Sequence, residues 1–382
     1  MFPQLDPTDA TYLAGLILNI LGVLLFFVLA VWMIQRKKNR QPSETPVLPV
    51  EPISKQEPRL VPYEILNPLS PEELSERSSA LQQAYRQWKA ERLLPTEEGR
   101  RLFLRTGVEK SGLRYQLVAS TQTQALAILI STLMAEADPQ ASVQAEALFA
   151  SLLAHPAFDP PELSSWKFMP DLPRSPKLDP DAHAELWAIY SMLAATKRWP
   201  GLNRFHYPEL MLGRLQALNK YAETLPAESL ERLPFSGYLL KSLKPLDPVL
   251  NWSALDRHRG FPNPNEWDDF TSSPDTSRLG LSLLQSGMLA LLDRDPESEE
   301  ALRSLHVNLI KLVDEYLKQG LSDLTFSTIA MLSCTAPALI TLQERELTDL
   351  LWANLSCAQP DKNDSLGATL RLLAMAFLAN QV

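Results

Sequence analysis

Cysteine and glycine are both scarce in this chain, which has two cysteines and 13 glycines in 382 residues. Two thiols cannot build a disulfide framework. Cys334 and Cys357 fall in apolar helical sequence and read as buried free thiols. Few glycines against 31 prolines disfavour a Gly-rich sheet protein and favour helices joined by Pro-marked loops. Long blocks of one charge sign are also missing. With a net charge of -9, the chain lacks the Lys and Arg excess that nucleic-acid binding requires. The five histidines include no His-Glu-x-x-His pair, Ser236-Gly237 sits in no nucleophile-elbow pattern, and no Gly-rich phosphate loop occurs. Neither a metal nor a cofactor is therefore expected. What is present is ordinary for a globular protein, 45% apolar and 21% charged. The length suffices for two average domains or one large toroid or barrel.

After a short tail of residues 1–11, the segment from Tyr12 to Ile34 carries no charged side chain, and Asn19 is its main polar interruption. As a helix it would reach about 34 Å, enough for a hydrocarbon core of ~30 Å. Tyr12 and Trp32 stand near its ends, as interfacial aromatics do. Asp6 and Asp9 precede it, and Arg36, Lys37, Lys38 and Arg40 follow it. A signal peptide has the opposite arrangement, with basic residues first and small residues at its end. The segment reads as a retained single-pass membrane anchor. The basic flank favours a cytoplasmic C-terminal body, with the other side of the membrane as the alternative. Residues 35–69 form a tether that holds seven prolines between positions 41 and 69.

The body, residues 70–382, opens on Ser70-Pro71-Glu72-Glu73, a helix start with a capping serine, proline in the first turn and acids behind it. Helical periodicity then dominates, as in Leu81/Tyr85/Trp88, Ala125/Leu129/Leu133, Leu186/Ile189/Leu193 and Leu305/Leu309/Leu312/Tyr316. No strand run is evident by the same rules. A repeat solenoid needs a fixed period, and none is found, so a closed double ring of helices is the better expectation.

Four stretches carry chemistry. Ser120-Thr121-Gln122-Thr123-Gln124-Ala125-Leu126-Ala127 resembles the Thr-Ser-Glu-Gly-Gln-Ser-Tyr-Gly signature of glycoside hydrolase family 8, especially the endoglucanase of bacterial cellulose-synthase operons. Asp181 to Leu193 is similar to that family's Ser-Asp-Ala-Asp-Leu-Trp-Ile-Ala-Tyr-Ser-Leu-Leu stretch, with Trp199 also on a tryptophan of the pattern. Leu233-Pro234-Phe235-Ser236-Gly237-Tyr238-Leu239 resembles Asn-Pro-Ser-Tyr-Leu, and Pro274-Asp275-Thr276-Ser277-Arg278 resembles Tyr-Asp-Ala-Ile-Arg. The last helix, Leu366 to Leu378, resembles the family's closing helix. The resemblance implies an all-α (α/α)6 toroid over residues 70–382.

It also implies roles. Gln122 falls on the glutamate that protonates the leaving sugar oxygen, and an amide cannot do this. His183 falls on an aspartate that holds the sugar at the cleavage site, and Glu185 on a second aspartate. Asp275 retains the general base position, with Arg278 beside it. Asp275 and Arg278 also suit an i,i+3 ion pair at a helix start. Glu109 and Glu136 lie near the first strip without falling on it. Trp187 and Tyr238 are candidate substrate contacts. Trp166, Trp199, Trp252 and Trp267 could also line a groove, although aromatics at helical spacing are more often core.

An inverting glycosidase needs one protonated and one ionised carboxyl. With the acid position an amide, the expectation is a non-catalytic accessory of exopolysaccharide synthesis, working as a scaffold or binding module. Its partners would be the subunits of a cellulose-synthase-like complex, with a glycan as a further ligand. Two alternatives are a membrane-bound β-1,4-glucanase with a relocated acid and a helical adaptor unrelated to glycans.

Overall fold

The computed structural model describes residues 69–379 apart from positions 97, 112–113, 172–174, 202–205, 226–236, 257–275, 319–325 and 362–363. The anchor and tether expected from the sequence, together with Asp275 and Trp267, lie outside the described residues. Among the described residues, no helix is long and apolar enough to cross a membrane.

The body starts with α1 (Pro71–Arg92). Ser70 Oγ accepts the Glu73 amide at 3.2 Å and the Glu73 carboxylate accepts the Ser70 amide at 2.8 Å, a reciprocal capping box. Two short antiparallel strands follow, β1 (Leu93–Pro95) and β2 (Leu102–Leu104). Next comes a hairpin of β3 (Gly107–Ser111) and β4 (Arg114–Ser120), extended by β5 (Lys167–Phe168). These strands correct the all-helical expectation. They escape pattern rules because β3 is Gly-Val-Glu-Lys-Ser, too short and too charged to alternate clearly.

The remaining helices are α2 (Thr121–Leu133), α3 (Ala141–Leu153), α4 (Ala182–Arg198), α5 (Tyr207–Thr224), α6 (Gly237–Leu243) and α7 (Ser253–Asp256). They continue with α8 (Thr276–Asp293), α9 (Pro296–Ser304), α10 (His306–Lys318), α11 (Phe326–Thr341), α12 (Arg345–Cys357) and α13 (Ser365–Leu378). Their packing closes a circle. α2 packs on α4, α4 on α6, α6 on α8, α8 on α11, α11 on α13, and α13 back on α2. The helices between them in sequence lie outside: α3 covers α2 and α4, α5 covers α4, α9 covers α8, α10 covers α11, and α12 covers α11 and α13. The chain thus alternates between inner and outer rings, so the inner helices run parallel and their starts share one end.

Burial follows this division. α13 is buried at every position from Gly367 to Leu378, and α2 at Thr121 and from Thr123 to Thr132. A helix apolar on all sides belongs inside. α1 buries Arg77, Leu81, Ala84, Tyr85, Trp88 and Arg92, which mark a single face. That face closes the toroid by joining the first helix to the last. Trp88 Nε1 donates to Thr369 Oγ1 at 3.1 Å, Arg77 Nη1 to the Leu378 carbonyl at 3.0 Å, and Arg92 Nη2 to the Asp361 carbonyl at 2.7 Å. Of the two cysteines, Cys334 is buried on α11, whereas Cys357 ends the outer helix α12 and is exposed, correcting the expectation of two buried thiols.

The tightest inner contact is that of α8 with α11. A Cβ at Gly287 would stand 2.6 Å from the Ala338 backbone nitrogen and 2.9 Å from Pro337 Cγ. Backbone cannot yield as a side chain can, so Gly287→Ala must push the two helices apart. Overpacking of this kind typically costs about 1–3 kcal/mol. Urea denaturation of the purified protein is expected to show a lower midpoint with an unchanged slope.

Candidate functional site

Because the inner helices share a direction, the resemblance-bearing residues meet at one end of the ring. Gln122 is the second residue of α2, His183 the second of α4, Tyr238 the second of α6 and Arg278 the third of α8. Ser120 caps α2, accepting the Thr123 amide, and Asp181 caps α4, accepting the Ala184 amide at 3.0 Å.

Which way each side chain faces follows from its neighbours. Gln124 points outward: its Oε1 accepts the Leu104 amide at 2.9 Å, and its Nε2 donates to the Leu102 carbonyl at 3.0 Å and the Leu148 carbonyl at 3.2 Å. Glu185 points outward as well. Its carboxylate accepts the Ser164 amide at 2.7 Å and Arg214 Nη2 of α5 at 2.5 Å, and Arg214 also donates to Ser164 Oγ at 2.8 Å. Two residues along a helix is a rotation of about 200°. Gln122, His183 and Trp187 are each two residues from one of these outward anchors, so all three face the axis. Each carries a buried nitrogen with no protein partner: Gln122 Nε2, His183 Nε2 and Trp187 Nε1.

The structure therefore separates the residues that the sequence grouped. Gln122 and the buried His183 point toward the axis, while Glu185 is fully buried in an ion pair that ties inner α4 to outer α5. Burial pushes the Glu185 carboxyl up, against the pull of Arg214 and the Ser164 amide. Arg214, 29 residues away, has no signal in the sequence that marks it as this partner. Trp187 is 0% exposed, and an enclosed indole has no face to offer a sugar. Tyr238 is buried too, its hydroxyl 3.0 Å from that of Tyr190, and burial raises it to about 12. The indole open to solvent at this end is Trp166, 44% exposed. Its carbonyl accepts the Thr121 amide at 3.0 Å, which ties its backbone to the start of α2, and its own amide donates to the Asp179 carbonyl at 3.1 Å. Lys167 Nζ lies 4.7 Å from its ring centre and 2.6 Å from Glu109 Oε1. Glu136 is elsewhere, paired with Arg198 at 3.5 Å. Among the described residues, no group of three His, Cys, Asp or Glu is placed to hold a metal ion.

No family model matches the sequence, and no match is found among curated proteins. Solved structures do match. A β-1,3-1,4-glucanase from Paenibacillus sp.X4 superposes with a TM-score of 0.64 at 11% identity, over 84% of this chain and 95% of that one. A cold-adapted family 8 xylanase gives 0.55 at 12% identity, over 84% and 94%. A reducing-end-xylose releasing exo-oligoxylanase gives 0.55 at 12% identity, over 82% and 94%. The fold is that of a family 8 glycoside hydrolase. The ring of six inner helices and the share of each chain covered place the whole body, not one motif, within that fold.

These neighbours also correct the expectation that the chain is not an enzyme. That expectation rested on one amide at position 122, while the fold around it matches working glucanases and xylanases over nearly their full length.

His183 gives the site a measurable signature. Burial holds the imidazole down at about 4, with the Asp181 charge opposing, so it is neutral at pH 7. The unfolded chain takes up this proton near pH 6.5 and the folded one near 4. Stability is thus complete above 6.5 and falls as the pH drops through 4, by at most roughly 1.4 kcal/mol per pH unit in that window. Thermal melts between pH 7 and 4 are expected to fall less steeply for His183→Gln than for the parent protein. His155, also lowered by burial, contributes equally to both proteins.

Proposed function

We propose that the body binds and hydrolyses a β-linked polysaccharide in bacterial exopolysaccharide synthesis, held at the inner membrane by residues 12–34. The observation that carries this reading is the axial end of the ring. There, Gln122 and His183 carry unpartnered nitrogens, and the exposed Trp166 is tied by its backbone to the start of α2, on the fold of glucanases and xylanases. Such a surface suits a sugar, whose hydroxyls take the polar contacts and whose C–H face lies on the indole.

Hydrolysis with inversion needs an acid and a base on opposite sides of the bond. Asp275 takes the base role by its resemblance. The proton cannot come from Gln122, so another carboxyl supplies it. Asp181 is an exposed carboxyl at the start of α4 whose charge acts on His183, two residues from the position that the family's aspartate occupies. It is the donor we assign. Synthase subunits remain the natural partners of a protein tethered in this way, and the basic flank of the anchor orients the body to the cytoplasm.

The test uses the full-length protein in detergent with β-1,4-glucan, mixed-linkage β-1,3-1,4-glucan and xylan. Release of reducing ends is expected from at least one polymer. Asn caps a helix as well as Asp does, so Asp181→Asn should melt like the parent and lose roughly 10²- to 10⁴-fold in turnover, the usual contribution of a general acid. Binding without release from any of the three polymers would overturn hydrolysis. Orientation is tested separately, by a reporter fused after Val382 that is active only outside the cytoplasm. A working reporter reverses the topology and leaves the glycan reading standing.

A further inference from the structure

Trp166 is a large apolar ring left 44% exposed on a backbone that is held from two sides. Its carbonyl accepts the Thr121 amide at 3.0 Å, and the preceding Ser165 carbonyl accepts Thr121 Oγ1 at 2.7 Å. The Trp166 amide donates to the Asp179 carbonyl at 3.1 Å. The main chain is thus fixed between the start of α2 and the segment that leads into α4. The side chain is not free to turn either. Lys167 Nζ stands over the indole, 4.7 Å from the ring centre, where the negative face of the ring attracts a cation. The same ammonium lies 2.6 Å from Glu109 Oε1. The sheet arranges this contact. Lys167 of β5 is opposite Ser120 of β4, and Glu109 of β3 is opposite Gln116 of β4. An even spacing along β4 puts both side chains on one face of the sheet, and the ion pair crosses β4 on that face.

We infer that Lys167 and Glu109 are positioning residues for glycan binding, which together fix the Trp166 indole so that its free face stacks on a sugar ring. The inference rests on the glycan reading above and adds two residues that act through the indole. A partly exposed ion pair contributes little to stability, so the consequence of this one is geometric. Glu109 holds the ammonium in place, the ammonium occupies one face of the ring, and the other face is left to a ligand. A ring already ordered in this way loses less freedom when the sugar arrives. Glu109 is a strand away from the indole and touches it only through Lys167, so neither its identity nor its position in the sequence reveals the role.

The experiment titrates oligosaccharides of the three polymers above calorimetrically into the full-length protein in detergent, and compares variants on the one that the parent binds most tightly. Trp166→Ala is expected to weaken binding at least roughly tenfold, as loss of an aromatic anchor does. Lys167→Met and Glu109→Gln are each expected to weaken it about two- to fivefold, the worth of an exposed cation–π contact. Lys167→Arg keeps the charge and stacks on the ring, so it should bind like the parent. The deciding measurement is the double variant. In a Trp166→Ala background, Lys167→Met and Glu109→Gln should cost nothing further, because they act through the indole. All three side chains are partly exposed, so every variant should melt like the parent. Parent-like affinity in Trp166→Ala, Lys167→Met or Glu109→Gln would overturn the inference, as would an equal loss with and without the indole. In each of these cases the parent still binds and the glycan reading stands. Failure of the parent to bind any of the oligosaccharides brings down the glycan reading as well.

Discussion

An inner helix of a closed ring has two places to send a polar side chain: outward, where the second ring supplies partners, or inward, to the axis. Everything distinctive about this body follows from that constraint. Gln124 and Glu185 go outward and are fully satisfied, by strand and helix carbonyls in one case and by Arg214 with the Ser164 amide in the other. Gln122, His183 and Trp187, each about half a helical rotation away from them, go inward and are not. The same helices therefore hold the scaffold together on one side and leave buried polar groups without a protein partner on the other.

The outward contacts explain how the ring stays closed without disulfides. α1 lies along α13, and its Arg77, Trp88 and Arg92 bond to groups between Asp361 and Leu378, so the two ends of the body are stitched along most of a helix. Elsewhere in the ring, Gly287 lets α8 and α11 approach until backbone meets backbone. Glu185 and Arg214 tie the two rings to each other. Breaking a buried pair of this kind leaves an uncompensated charge, typically at a cost of about 3–5 kcal/mol, so Glu185 belongs to the architecture more than to the chemistry.

Much of this was legible in the sequence. The capping box at Ser70, the helical periodicity and the order of the four resemblance-bearing stretches all pointed to a helical toroid, and the ring of six inner helices bears this out. The strands at 107–111 and 114–120 were not legible, because short strands of this composition carry no clear alternation. Cys357 was misjudged for a related reason: apolar helical sequence surrounds it, but it lies on the exposed side of an outer helix.

For the site, the residue types were visible and their directions were not. The sequence by itself determined that position 122 holds an amide, position 183 an imidazole and position 185 a carboxylate, because these are matters of identity and spacing. Whether a carboxylate at 185 serves a sugar or a scaffold depends on a partner 29 residues away, brought close by the packing of α5 on α4. Tertiary structure decided that, and it also decided that Trp166, not Trp187, is the indole open to solvent near the start of α2. The physical reason is the same in both cases. Spacing along a helix says which side chains share a face, and only the neighbours of the helix say what that face meets.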